Sequence, residues 1–237
     1  MKIAALEKLS LIDYPKLLSA IIFTQGCNFR CHYCYNPMLV WPQSDIRNKG
    51  KDYSHVLESD LFLFLEERKK KLEGVVITGG EPTLHADLPE FIKKIKKVGY
   101  KVKLDTNGTN PDMVARLVKD KLIDYIAMDF KAPLEEYYKV VNVKLDFNKI
   151  AKSVKIIRES GIDYEFRTTI VPGLLGSKEI EKMGKFLKGS RAWYLQQFKS
   201  ETDLVNTKFR DKDPYTDDEM TQLTEIGKKF VKICQWR

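Results

Sequence analysis

The sequence predicts an α/β fold, a partial (β/α)6 barrel of parallel strands, on three observations: six short apolar runs, amphipathic patterns between them, and polar clusters just after four of the runs. The runs are "LSAIIFT" (18–24), "GVVIT" (74–78), "KVKLD" (101–105), "DYIAMD" (124–129), "YEFRTTIV" (164–171) and "AWYLQQF" (192–198). Each is rich in β-branched or aromatic residues and too short to be a buried helix. Between them lie "SDLFLFLEERKKK", "LPEFIKKIKKVG", "PDMVARLVKDK", "NKIAKSVKIIRESG" and "SKEIEKMGKFLKG", with apolar residues at helical spacing, Ser, Asp or Pro at several starts and Gly at several ends. Strand–helix alternation of this kind builds right-handed βαβ units and hence a parallel sheet. After the sixth run comes a loop, "KSETDLVNTKFRDKDPY", too polar to be core, and a final helix, "TDDEMTQLTEIGKKFVKI".

The chain of 237 residues, 43% hydrophobic, is long enough for one ordinary domain, and no composition shift, repeat or low-complexity segment divides it. A single domain over 1–237 is expected, with a core over about 18–198 and the carboxy-terminal loop and helix over 199–237. No apolar stretch is long enough to cross a bilayer, and "MKIAALEKLSLIDYP" lacks the features of a signal peptide, so a cytoplasmic protein is expected. The 41 Lys and Arg against 33 Asp and Glu give a net charge of +8, but the basic residues sit in helix-face runs such as "ERKKKLE". That distribution argues against a nucleic-acid surface and leaves docking to an acidic partner open.

Chemistry concentrates after the first run. "TQGCNFRCHYCYNP" places Cys27, Cys31 and Cys34 in a C-x3-C-x2-C spacing, with Cys234 far away. In a reducing compartment such a triplet binds metal or does redox chemistry. Structural zinc wants four ligands and usually two knuckles; His32, His55 or Cys234 would have to complete it. A 4Fe-4S cluster held by three thiolates instead leaves one iron for a substrate or cofactor. The triplet alone leaves both open. The other polar clusters favour the cluster reading: "GGEP" (79–82), "DTNG" (105–108) and "DFK" (129–131) each follow a run, where α/β folds bind ligands.

"CNFRCHYC" with "GGEP", "DTNG" and "MDFK" resembles the radical S-adenosylmethionine superfamily, over Ala20 to about Gln197. The opening "LSLIDYP", "FTQGCNFRC" and "DFKAPLEEY" resemble more finely the activating enzymes of glycyl-radical proteins, especially that of anaerobic ribonucleoside-triphosphate reductase. The resemblance implies that Cys27, Cys31 and Cys34 hold one 4Fe-4S cluster whose fourth iron takes S-adenosylmethionine. An external donor such as flavodoxin or ferredoxin would supply the electron that breaks the carbon–sulfur bond, giving methionine and a 5′-deoxyadenosyl radical.

Further residues take roles under that resemblance. Gly79 and Gly80 would let the backbone approach the cofactor, whose ammonium their carbonyls and Glu81 would accept. Tyr33 would pack near the adenine. Asp105, Thr106 and Asn107 would hold ribose hydroxyls or, with Asp129, a monovalent cation. Lys131 would offset the cofactor carboxylate, and Arg167, inside a strand, needs a carboxylate partner from the cofactor or a structural Glu. An ordinary turn or surface role competes with each. The chain departs from the family at Tyr35, where many activases have His, and at "QQF", where some place a contacting His; neither Gln196 nor Gln197 is assigned. His32, His55 and His85 are expected to be solvent-facing or locally hydrogen-bonded. Alternatives are a pyruvate formate-lyase type of activase, a small-molecule radical enzyme such as a 7-carboxy-7-deazaguanine synthase, against which "YNP" in place of "DT" after the last cysteine speaks, and a zinc-stapled binding module.

Overall fold

The computed structural model describes residues 1–41 and 55–237. The fold is mixed α/β with mostly parallel strands, and all six runs are strands. The chain divides into two compact units, 1–28 with 38–126, and 29–37 with 127–237.

The first unit is built on β1 (Ile3–Ser10), β2 (Ser19–Thr24), β3 (Gly74–Gly79) and β4 (Lys101–Thr106). β1 runs antiparallel to β2; β2 to β3 and β3 to β4 are parallel. Helices α1 (Pro37–Val40), α2 (Glu58–Arg68), α3 (Leu88–Val98) and α4 (Pro111–Lys119) supply apolar stripes, among them Leu61, Leu65, Phe91, Ile92, Ile95, Val114 and Leu117, all buried. α4 starts where the Asn110 side chain accepts from the Met113 N–H and Pro111 opens the first turn. β1 was not foreseen: "IAALEKLS" has helix-forming composition and mostly exposed side chains, and pairing with β2 makes it a strand. β5 (Tyr125–Asp129) contains the division between the units.

The second unit carries α5 (Tyr137–Val141), α6 (Phe147–Glu159), β6 (Asp163–Ile170), α7 (Ser177–Leu187), β7 (Ala192–Gln197), α8 (Asp217–Lys228) and β8 (Ile233–Trp236). β6 to β7 and β7 to β8 are parallel. Thr216 and Glu219 form a capping box at the start of α8. The final helix is shorter than its sequence pattern, because the Lys232 and Ile233 amides donate to the Ser190 and Arg191 carbonyls and draw the chain into β8. The polar loop 199–215 also departs from expectation: it buries Leu204 and Phe209, apolar residues that its overall polarity hides. Among the described residues no helix is long and apolar enough to cross a membrane.

Candidate functional site

Register brings the first unit's motifs to one strand end. Thr24 of β2 pairs with Gly79 of β3, so the residues that follow leave the sheet side by side. The Gly80 amide donates to the Thr24 carbonyl (2.9 Å) and the Glu81 amide to the Gly26 carbonyl (2.8 Å). Gly79 has φ +114°, a backbone conformation that suits glycine. A Cβ on Gly80 would overlap the Gly26 carbonyl, so the two chains are packed backbone on backbone. Upstream of Cys27, Gly26 donates to the Leu39 carbonyl (2.8 Å), and Gln25 Nε2 donates to the Met38 and Trp41 carbonyls (2.9 and 2.7 Å).

Glu81 is a brace. Buried, it accepts from the Thr83 amide (3.0 Å) and hydroxyl, from Thr106 Oγ1 (2.7 Å) and from the Asn107 amide (2.6 Å). Burial pushes its carboxyl above the ordinary range, against those donors. Glu81, expected to receive the cofactor ammonium, has four loop donors on its two oxygens. Asn107 likewise serves the loop: its Nδ2 donates to Asn28 Oδ1 (2.8 Å), and its Oδ1 accepts from the Thr109 amide (3.0 Å) and hydroxyl (2.7 Å). Asp105, expected to meet ribose or a cation, accepts from Lys103 Nζ at 2.5 Å, a buried pair in which Lys103 also lies 6.0 Å over the Tyr125 ring. Sequence reasoning missed Lys103, Asn28 and Thr109. Alternation along "KVKLD" placed Lys103 with Asp105 on one face, and that was the available signal.

In the second unit the cysteine segment donates from the Arg30 and His32 amides to the Val141 and Val140 carbonyls (2.9 and 3.4 Å). Tyr33 is buried, 5% exposed, with Lys131 Nζ 5.9 Å over its ring, and its hydroxyl has no hydrogen-bond partner among the described residues. Burial raises the Cys34 thiol pKa, opposed by the Asn36 backbone and Lys131. Asp129 accepts from Arg167 Nε at 2.9 Å and from Lys131 Nζ at 3.2 Å. Arg167 therefore finds a carboxylate in Asp129, which is committed to two cations. Tyr137 was also missed: its hydroxyl accepts from the Lys131 amide (3.1 Å) and donates to the Asp129 carbonyl (3.4 Å), fixing that turn. Gln197 Nε2 donates to the Tyr215 carbonyl (2.7 Å), and Tyr35 is 57% exposed. Each of the three histidines has a hydrogen-bond partner distant in sequence: His32 meets Asn206, His55 the Ile3 carbonyl and His85 the Gln25 carbonyl.

The Asp129 pair yields a pH prediction. Burial pushes the carboxyl up, but Arg167 and Lys131 outweigh it and hold the pKa at about 2. Because the folded value lies below the unfolded one, the stabilisation is complete above about pH 4 and is lost as pH falls toward 2. Asp129→Asn is expected to cost roughly 2–3 kcal/mol at pH 7, because it removes the carboxylate that two half-buried cations share. Denaturant melts should show that gap narrowing at pH 3; a pH-independent difference would remove the ion pair as its cause.

The sequence matches the family model of the radical SAM superfamily over residues 21–187. The chain belongs to the radical SAM superfamily. Over 234 residues this radical SAM enzyme is 34% identical to a Methanocaldococcus jannaschii protein named as a glycyl-radical enzyme activating enzyme, covering 97% of this chain and 92% of that one. It is 30% identical to the pyruvate formate-lyase-activating enzyme of Clostridium pasteurianum, over 80% of this chain and 77% of the relative. The crystal structure of Streptococcus suis SuiB bound to S-adenosylmethionine shares the fold, with a TM-score of 0.64 at 16% identity, covering 90% of this chain and 48% of SuiB.

The superfamily implies a 4Fe-4S cluster and S-adenosylmethionine, and the residues of this radical SAM enzyme fit them. None of the three motif cysteines is in a disulfide, and the buried Tyr33 hydroxyl has a hydrogen bond still to make. Among the described residues no three His, Cys, Asp or Glu side chains converge on one metal ion, the arrangement that a zinc staple needs. Thiolates that each bind a different iron of one cluster need no such convergence.

Proposed function

We propose that this enzyme generates a glycyl radical on a partner protein, the anaerobic ribonucleoside-triphosphate reductase. Likeness along almost the whole chain to a relative named as a glycyl-radical enzyme activating enzyme carries the activase part of the reading, and the choice of reductase rests on the resemblance of "LSLIDYP", "FTQGCNFRC" and "DFKAPLEEY". Cys27, Cys31 and Cys34 hold the cluster, leaving one iron for S-adenosylmethionine. When bound, the two groups supply reductive cleavage and hydrogen abstraction.

The chain's own residues bind and orient. The carbonyls of Gly79 and Gly80 receive the cofactor ammonium on a backbone that Glu81 braces through Thr106 and Asn107. Asp129, Lys131 and Arg167 sum to one net positive charge, suited to the cofactor carboxylate. Tyr33 offers its ring to the adenine and its hydroxyl to a polar atom of the cofactor. Asp105 and Asp129 are both ion-paired, so no monovalent cation is assigned to them. The net charge of +8 suits docking of an acidic electron carrier, such as a flavodoxin or ferredoxin, and of the partner itself.

The test is anaerobic incubation of the reduced, cluster-loaded enzyme with S-adenosylmethionine, alone and with candidate partners. Slow cleavage alone, acceleration by the reductase, and a glycyl radical on the reductase by electron paramagnetic resonance are expected. A radical on pyruvate formate-lyase instead would favour the second reading, which the Clostridium relative supports. Stimulation by a pterin or another small metabolite, with no radical on either protein, would overturn the activase reading and leave the superfamily assignment intact.

A further inference from the structure

Within the second unit the cysteine segment is held on both sides. On one side the Arg30 and His32 amides donate to the Val141 and Val140 carbonyls. On the other, the His32 and Cys34 carbonyls accept from the Asn206 and Val205 amides, at 3.1 and 2.9 Å. Residues 30–34, whose own turn is closed by the Cys34 amide donating to the Cys31 carbonyl (3.1 Å), are thus hydrogen-bonded to α5 on one side and to the polar loop 199–215 on the other. Side chains reinforce the second contact. Asn206 Nδ2 meets His32 Nδ1 at 3.0 Å, and the His32 ring stacks on Phe209, centroids 5.2 Å apart and planes 4° from parallel. Phe209 is 8% exposed, with Lys212 Nζ 5.2 Å over its ring, and Leu204 is 4% exposed. Asn206 Oδ1 accepts from the Lys208 amide, closing the turn that presents Phe209.

From this we infer that residues 204–209 are a positioning element for the cluster: they hold Cys31 and Cys34 in a ligating backbone conformation before iron arrives, and so set how firmly the cluster is kept and at what potential. The physical reason is preorganisation. Backbone hydrogen bonds on both edges remove conformations that an open loop would otherwise sample, so less ordering remains when the thiolates bind. Hydrogen bonding and solvent exposure around the sulfurs also set a cluster's potential. A loop dismissed on composition thereby has a reason to carry Leu204, Asn206 and Phe209.

The inference rests on Cys31 and Cys34 being ligands. Failure of that reading would show as wild-type protein without iron, whereas failure of this inference would show in variants compared with iron-loaded wild type. Asn206→Ala and Phe209→Ala are tested, with Phe209→Tyr to restore the ring. Hydrogen–deuterium exchange of the apo chain reads the Val205 and Asn206 amides, which donate across the contact, and the Arg30, His32 and Cys34 amides of the segment it holds; chelator challenge of the loaded protein reads cluster loss; electron paramagnetic resonance under redox titration reads the potential. Both alanine variants are expected to exchange faster at 30–34 and 205–206 with little change elsewhere, to lose cluster about tenfold faster, in line with outer-shell changes at metal sites, and to shift the potential, with Phe209→Tyr close to wild type. If Phe209→Ala does not fold, Asn206→Ala decides, since it leaves both backbone hydrogen bonds in place. Unchanged cluster loss and potential, or faster exchange spread over the whole chain, would overturn the inference.

Discussion

Replacing Cys27, Cys31 or Cys34 by alanine is expected to abolish cluster assembly, giving protein with no bound iron or sulfide and cofactor cleavage down at least ~100-fold, beyond the usual loss from an outer-shell change. Under the proposed reading each thiolate would ligate a different iron, so none of the three can stand in for another. Burial of Cys34 sharpens the point: it raises the thiol pKa, so a bare thiolate is disfavoured, and iron, when bound, would supply the compensating charge. Cys234→Ala is the matched control. Its thiol is 3% exposed, burial pushes its pKa to about 12, and its sulfur packs on Gly227 near Trp193. It behaves as a small apolar side chain, so its loss should cost about 1 kcal/mol of stability and no iron. Normal iron content in any of the three motif variants would end the cluster assignment for that residue, and iron loss in Cys234→Ala would bring the fourth cysteine into it.

The strands and motifs were legible because they depend on local pattern: six apolar runs, and polar clusters where those runs end. What was not legible depends on which residue lies across the gap. Glu81 reads as an acceptor aimed at a ligand until Thr106 and Asn107, twenty-five and twenty-six positions later, are seen to reach it first. Asp105 reads as an oxygen donor until Lys103 on the same face closes on it. Arg167 demanded a carboxylate on grounds of burial, a sound requirement, but sequence could not say that Asp129, thirty-eight positions earlier, would meet it. β1 was hidden because an edge strand that buries only its end residues, Ile3 and Ser10, need not have strand-like composition. In the loop 199–215, two buried apolar residues were outvoted by their charged neighbours.

Gly80→Ala shows where structure changes an expectation and not merely its detail. From sequence, this glycine leaves room for the cofactor, so a larger residue would spare the cluster and weaken cofactor binding alone. The structure places the missing side chain against the protein itself: a Cβ would overlap the Gly26 carbonyl, while Glu81 N–H already donates to that oxygen at 2.8 Å. The chain can relieve the overlap by breaking that bond or by moving Gly26, the residue before Cys27. Neither route leaves the loop intact. Gly80→Ala is therefore expected to cost about 3 kcal/mol, the upper part of the usual overpacking range, to lower iron content and to weaken S-adenosylmethionine binding together. Gly161→Ala is the comparison: its φ of +74° strains an alanine, but a Cβ there meets nothing within 4 Å. It should cost about 1 kcal/mol in backbone strain and leave iron content unchanged. Iron analysis, thermal melts and cofactor titration on the two variants separate the explanations. A Gly80→Ala protein with a full cluster, unchanged stability and weakened cofactor binding would return the glycine to the role of making room for a ligand.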